Sequence, residues 1–430
     1  MAFGLLQAAV AVKSGLIQNG TGPSKSDGAF GPFPRAAFDT IMTAMADGIA
    51  SAAQFQIGQN RLTVLHGPDE RLAALLAMIT GARRSIRGFF YMLAADRTGG
   101  RIVDALCAAQ ARGVTVEFAV DSFGSGGTDP ALFRRLEESG VTFFHFSPRW
   151  SSQYLIRNHQ KFLVVDGRQA LVGGFNLTDA YFGMKGARSW EDIGVLIEGP
   201  HVRPLVDYFR RLRAACFGGV TKLRLLRRLV RRWGHSQGDM AWLLGGPSVR
   251  LSQWARTLKR DLEKAERIDV VAAYFSPGRG MLRRMGRVAQ RRGARFVLAG
   301  RTDNGATIGA ARFLYGMLLR MGATIFEFQP RMLHMKLLVI DDIVYVGSSN
   351  LDMRSLFINL ELMLRVENGP LAAYMRGLVD TLVQESEQQT EELHARRKNW
   401  LSRIRWALSY FLVSVVDYTV TRRLNLGQKG

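Results

Sequence analysis

His159-Gln160-Lys161-Phe162-Leu163-Val164-Val165-Asp166, followed by Gly173-Gly174-Phe175-Asn176, occurs a second time as His334-Met335-Lys336-Leu337-Leu338-Val339-Ile340-Asp341, followed by Gly347-Ser348-Ser349-Asn350. A single His-x-Lys is common. Two copies, each with four apolar residues, the same Asp and a glycine-led turn ending in Asn, mark an internal duplication. Each run from the His through the apolar residues has strand composition. Alternate strand residues share a face, so His159 is expected beside Lys161 and His334 beside Lys336. A second strand is expected after each motif, at 169–172 and 343–346. The tight turn between the two strands can return Asn176 and Asn350 toward the His-Lys end.

The duplication extends upstream. Amphipathic helices at 72–82 and 254–265 each lead into a strand, at 85–91 and 268–275. Helices ending at Ala111-Arg112-Gly113 and Arg291-Arg292-Gly293 precede strands at 114–120 and 294–299. Strand–helix alternation of this kind predicts an α/β fold. Two α/β/α halves related by a pseudo-twofold, each with a largely parallel mixed sheet, would meet with both motifs at their interface. The expected organisation is a leader and loop at 1–57, a first half at 58–218, a basic amphipathic connector at 219–245, a second half at 246–390 and a tail at 391–430.

Two imidazoles, two ammonium groups and two carboxamides suit the clamping of a phosphate diester. One His attacks phosphorus and the other protonates the leaving oxygen; an unperturbed pKa of about 6.5 suits both roles. Covalent catalysis divides one hard displacement into two easier ones. A positioned acid–base group contributes roughly 10²–10⁴ in rate. Lys161, Lys336, Asn176, Asn350 and Ser348 are the expected phosphate-binding set, a case of preorganised electrostatics. This chemistry calls for no metal and no cofactor. Asp166 lies roughly 23 Å along an extended strand from His159, too far to orient its ring. Asp192 in Ser189-Trp190-Glu191-Asp192 and Glu361 in Asn359-Leu360-Glu361 are better placed to hold the imidazoles. Asp166 and Asp341 are expected to be structural residues of a turn or salt bridge. The other five histidines are expected to be ordinary.

These motifs resemble the paired His-Lys-Asp motifs of the phospholipase D superfamily, and most nearly its bacterial cardiolipin synthases. Arg157-Asn158-His159 with Lys161, Trp190 with Asp192, Tyr274-Phe275 with Pro277, and Ser349-Asn350-Leu351-Asp352 with Asn359 and Glu361 carry the resemblance. It covers roughly residues 58–390. It implies a phosphatidyl–histidine intermediate on His159, with His334 as the acid. It also implies phosphatidylglycerol as substrate and cardiolipin as product, at the inner membrane of a bacterium. Three departures stand out. Gln160 replaces the usual Arg, the second motif is one residue shorter before Gly347, and paired N-terminal membrane helices are not seen. Hydrolysis or headgroup transfer on another phospholipid would use the same residues. A nuclease of the superfamily or an inactive membrane scaffold fits less well.

Composition supports a lipid partner. The 430 residues are 47% hydrophobic and carry a net charge of +22. Such charge points to an anionic surface, here phospholipid membrane in preference to nucleic acid. Only Cys107 and Cys216 are present, so no disulfide framework is indicated. No run reaches the roughly 18–20 apolar residues of a spanning helix. Residues 1–12 lack the basic start of a signal peptide, and 19–35 read as a loop. Two segments read as interfacial. In the first, Lys222, Arg224, Arg227, Arg228, Arg231 and Arg232 alternate with leucines. In the second, 406–416 with Trp406 and Phe411, arginines 403, 405, 422 and 423 flank apolar residues. The expected attachment is peripheral, on the cytoplasmic face. Neither oligomeric state nor acceptor lipid is specified by the sequence.

Overall fold

The computed structural model describes residues 52–147, 156–183, 188–216, 221–247, 251–302 and 304–416. The expectations for the leader, for the loop at 19–35 and for Arg422 and Arg423 lie outside these residues.

The first half runs β1 (Gln54–Ile57), β2 (Asn60–Leu65), α1 (Pro68–Gly81), β3 (Ser85–Phe90), α2 (Arg97–Ala111), β4 (Thr115–Asp121), α3 (Pro130–Glu138) and β5 (Thr142–Phe146). It continues with β6 (Lys161–Val165), β7 (Gln169–Gly173), α4 (Asp179–Phe182), β8 (Trp190–Glu191), β9 (Gly194–Glu198) and α5 (Arg203–Cys216). After α6 (Leu223–Arg232) the second half repeats the plan. Its elements are β10 (His235–Gln237), β11 (Met240–Gly245), α7 (Gln253–Lys264), β12 (Ile268–Ala272), β13 (Phe275–Ser276), α8 (Arg279–Arg291), β14 (Ala294–Ala299), α9 (Gly305–Arg320) and β15 (Thr324–Phe328). Then come β16 (Met332–Leu333), β17 (Lys336–Ile340), β18 (Ile343–Gly347), β19 (Leu351–Asp352), α10 (Met353–Phe357), β20 (Glu361–Glu367), α11 (Gly369–Gln384), β21 (Ser386–Gln389), α12 (Glu391–Arg397) and α13 (Trp400–Tyr410).

Each half builds one mixed sheet, in the order β1-β2-β9-β7-β6-β3-β4-β5 and β10-β11-β20-β18-β17-β12-β14-β15-β21. Parallel pairing joins β3–β4–β5 and β12–β14–β15, through the crossover helices; the other neighbours within these sheets are antiparallel. The stretch expected as a connector therefore divides, because β10 and β11 join the second sheet.

Beyond their leading lysines the motif strands are apolar because they are covered on both faces. Leu163 and Val165 pack with α1–α3, and Leu338 and Ile340 with α7–α9. Phe162, Val164, Leu337 and Val339 point the other way, into one large cluster shared by both sheets with α5, α6 and α11. This shared core fixes the halves against each other.

Asp166 and Asp341 close the turns after the motif strands with left-handed backbones, φ 54° and 46°. Asp166 accepts hydrogen bonds from the backbone N–H groups of Arg83, Arg84 and Ser85 at 2.7–3.0 Å. Asp341 accepts from Glu266 and Arg267. Partial burial works to raise the Asp166 pKa, but the three donors outweigh it and hold the carboxylate below its ordinary value. Each Asp thus ties its motif turn to the start of the neighbouring central strand.

Both expected membrane segments are revised. In α6, Leu226, Leu229 and Val230, with Trp233 beyond, are buried against the protein's own core. The exposed positions are the basic Lys222, Arg224, Arg228, Arg231 and Arg232 together with Leu225, and Arg227 is half-buried. Trp406 is not a membrane contact: it is 3% exposed and stacks on His394 at 5.3 Å. Phe411 is exposed. No helix of the described residues is long and apolar enough to cross a membrane.

Asp166→Ala removes three acceptor contacts and leaves a non-glycine residue in a left-handed turn. Urea denaturation should show a loss of about 2–3 kcal/mol. Asp166→Gly, which relieves the backbone, should lose less.

Candidate active site

Both motif histidines precede their strands instead of starting them. Each uses its backbone N–H to pair with the other half. His159 N donates to Leu360 O at 2.9 Å, and Leu360 N to Arg157 O at 2.9 Å. His334 N donates to Glu191 O at 2.8 Å, and β16 pairs in parallel with β8, matching Leu333 to Glu191. The residue following each of these partners is a carboxylate: Glu361 after Leu360, and Asp192 after Glu191.

The side chains cross in the same way. Nδ1 of His334 lies 2.7 Å from Asp192 Oδ2. Nδ1 of His159 lies 3.0 Å from Ser348 O and 3.2–3.3 Å from the Glu361 oxygens. A carbonyl oxygen only accepts, so Nδ1 of His159 carries the proton and Nε2 keeps its lone pair. Asp192 and Glu361 are fully buried. Ser348 sits behind Glu361 and is not a phosphate contact here. Its hydroxyl donates to Glu361 Oε2 at 2.5 Å and accepts from Leu362 N at 3.1 Å.

Lys161 and Lys336 begin β6 and β17, each 1% exposed. Lys161 donates to the His159 carbonyl. Lys336 donates to the His334 carbonyl, with its Nζ 2.9 Å from His334 Nδ1. Burial lowers the His159 pKa, and Lys161 lowers it further. Burial, then Lys336 and Lys161, push that of His334 well below its ordinary value. Both imidazoles are therefore neutral in the resting site. Burial also drives Lys161 well below the usual ammonium range, against the pull of Glu361. An arriving phosphodiester anion would restore the positive charge.

Asn176 and Asn350 are buried at 5% and 4% exposure. Asn176 Nδ2 meets Tyr181 Oη at 3.4 Å, and neither carboxamide Oδ1 has a hydrogen-bond partner among the described residues. Turned about, such amides present N–H groups to an anionic ligand. Tyr91 lies edge-on to His159 at 5.0 Å. Tyr181 and Trp190 stack on each other and each meets His334 edge-on at 5.2 Å. Gly174 makes room: a Cβ there would lie 2.7 Å from Asp192 Oδ1 and 3.0 Å from Lys336 Cδ.

Two supporting residues escaped the sequence reading. Arg71, buried in α1, donates to the backbone carbonyls of Asp192 and Tyr181. Asp121, at the end of β4, accepts from Asn158 N at 2.8 Å and from the N–H groups of Phe123 and Gly124. It fixes the chain entering His159. Burial raises its pKa to about 6. Neither residue belongs to the repeat, and an Arg in an amphipathic helix reads as solvent-facing. The remaining histidines lie outside this cluster. Among them His201 is fully buried and stacks on Trp242 at 5.6 Å.

Comparison with known proteins identifies the family. The family model described as "Cardiolipin synthase, PLD-like domain" matches residues 75–213 and 258–383, one segment in each half. The chain is 28% identical over 373 residues to cardiolipin synthase B of Shigella flexneri, spanning 82% of this chain and 87% of that protein. It is 30% identical over 324 residues to a cardiolipin synthase of Geobacillus thermodenitrificans, spanning 71% of this chain and 64% of that one. The structure of phosphatidylserine synthase from Haemophilus influenzae Rd KW20 superposes with a TM-score of 0.68 at 12% identity, covering 89% of this chain and 99% of that chain. With two family segments covering more than half of its length, the chain belongs to the phospholipase D-like family of cardiolipin synthase domains.

Proposed function

We propose that the protein is a phosphatidyltransferase that makes cardiolipin from two molecules of phosphatidylglycerol, working peripherally on the inner membrane of a bacterium. One observation carries this reading: each imidazole is held at Nδ1 by a carboxylate from the opposite half, beside two buried lysines. The names of the relatives supply the lipid.

In the first step Nε2 of His159 attacks the phosphorus of one phosphatidylglycerol. The P–N bond forms as the bond to the headgroup glycerol oxygen breaks. The substrate anion offsets the lysines and lets His334 hold a proton, which it gives to the leaving glycerol. The His159 ring, now cationic, is stabilised by Glu361 and the Ser348 carbonyl. In the second step the terminal hydroxyl of another phosphatidylglycerol attacks the same phosphorus. His334 takes its proton, the P–N bond breaks, and cardiolipin leaves. Lys161, Lys336, Asn176 and Asn350 hold the non-bridging oxygens through both steps. Asp192 positions His334, Glu361 positions His159, and Ser348 positions Glu361. The diester bond energy is conserved, so no nucleotide is consumed.

Vesicles of headgroup-labelled phosphatidylglycerol test the reading. Cardiolipin and free glycerol should appear in equal amounts. Phosphatidic acid as the main lipid product would replace the transferase with a hydrolase.

Acid quench during turnover of a phosphorus-labelled substrate should leave label on His159, and His159→Ala should abolish it. Label on His334 instead would reverse the two roles. His334→Ala should lose roughly 10²–10⁴ in rate on phosphatidylglycerol. On a p-nitrophenyl phosphatidyl ester, whose leaving group needs no proton, His159 should still be labelled at near the normal rate.

A further inference from the structure

The helix α13, with the π turn Phe411–Val416 that extends it, has its polarity reversed. Ser402, Ser409 and Ser414 are buried with Trp406. Trp400, Leu401, Ile404, Leu408, Phe411 and Leu412 are each 52–69% exposed. At about 100° per residue these six fall within an arc of about 120°. Arg403 and Arg405, both exposed, stand at its two edges. The small inner face explains the arrangement. Ser409 lies against Gly309 of α9, so closely that a Cβ on that glycine would sit 2.6 Å from the Ser409 hydroxyl. Ser402 donates to the carbonyls of Arg397 and Asn399. The helix is thus held through its serines, Trp406 and Tyr410, which stacks on Phe313 of α9 at 4.9 Å, and its other large apolar side chains face outward. A lone exposed leucine is ordinary; a contiguous stripe of six marks a contact surface.

The stripe leads toward the catalytic end of the second sheet. β14 runs parallel to β12. The chain leaves β12 into β13, which pairs with β19 directly after Asn350. The helix α9 starts beyond the same end of β14, and its Gly309, in the first turns, meets Ser409 near the end of α13. Phe411 and Leu412 therefore lie at the end of the sheet where the motif residues gather.

We propose that this stripe lies on an anionic lipid bilayer, with the six apolar side chains among the acyl chains and Arg403 and Arg405 at the level of the phosphates. The choice of occupant rests on the proposed function, whose substrate cannot leave the bilayer, and on the cationic edges of the stripe. Basic residues flanking an apolar helical face are the pattern of interfacial binding. The exposed arginines of α6 add attraction at longer range without inserting.

Flotation of the full chain with vesicles of mixed phosphatidylglycerol and phosphatidylcholine tests the proposal. The double variant Ile404→Asp with Leu408→Asp should bind about tenfold or more weakly. Its melting temperature should not change, because both positions are exposed. With bromine-labelled acyl chains, tryptophan fluorescence of the wild type should be quenched, and Trp400→Phe should lose most of that quenching. Unchanged flotation of the double variant overturns the proposal. So does a wild-type dimer that the double variant splits with vesicle binding intact, which would make the stripe an interface between copies. So does quenching that appears only after removal of residues 1–51, which would make the leader its cover. His159→Ala should float like the wild type. If flotation behaves as expected but no cardiolipin forms, the functional reading falls and the bilayer surface stands.

Discussion

Two short backbone pairings between the halves hold the catalytic cluster together. Arg157 and His159 bond to Leu360, while Met332 and His334 bond to Ser189 and Glu191. Each is only a few hydrogen bonds and contributes little to stability beside the shared core. Their value is register. Each pairing sets a histidine next to the residue that precedes a carboxylate of the other half. A slip of one residue would turn Asp192 or Glu361 away from its ring, because successive extended residues face opposite sides. Neither half could complete a histidine–carboxylate pair by itself in this geometry.

The electrostatics of the site follow from the same convergence. Two lysines and two carboxylates are buried together beside the two imidazoles, an arrangement that is costly unless charges compensate. The carboxylates offset the lysines, and the imidazoles answer by staying neutral. A phosphodiester adds one negative charge to this balance, and its arrival favours the cationic forms of His334 and Lys161 that the proposed chemistry requires. Binding and activation are then parts of one event. The aromatic rings of Tyr91, Tyr181 and Trp190 pack around the imidazoles, which suits the proposed intermediate, since that would have to wait for a lipid hydroxyl.

Repetition made the cluster legible in the sequence. His159 and His334 stood out because each came with a lysine, an aspartate and an Asn-ended turn at the same spacing. The α/β alternation was equally visible, since buried strands read as unbroken apolar runs. The crossing was not visible, because pairing between segments hundreds of residues apart leaves no local pattern. Asp121 and Arg71 were hidden for a related reason: each acts on a backbone group, through a contact that neither composition nor period records. Trp406 shows the opposite failure. Its size and the basic residues around it suggested a lipid contact, but the inward-facing serines draw that face of α13 against α9 and take the tryptophan with it. Of the two aromatic residues expected on the outer face, Phe411 is exposed and Trp406 is not.

The crossed pairing is the central claim, and the ring nitrogens report it directly. Nitrogen-15 NMR of histidine-labelled protein, with His159 and His334 assigned by substitution, would follow each ring as its expected carboxylate is neutralised. Asp192→Asn should shift the nitrogen resonances and titration of His334 and leave those of His159 nearly unchanged; Glu361→Gln should do the reverse. If each substitution instead perturbs the histidine of its own half, the two halves do not exchange their carboxylates and this account of the site is wrong.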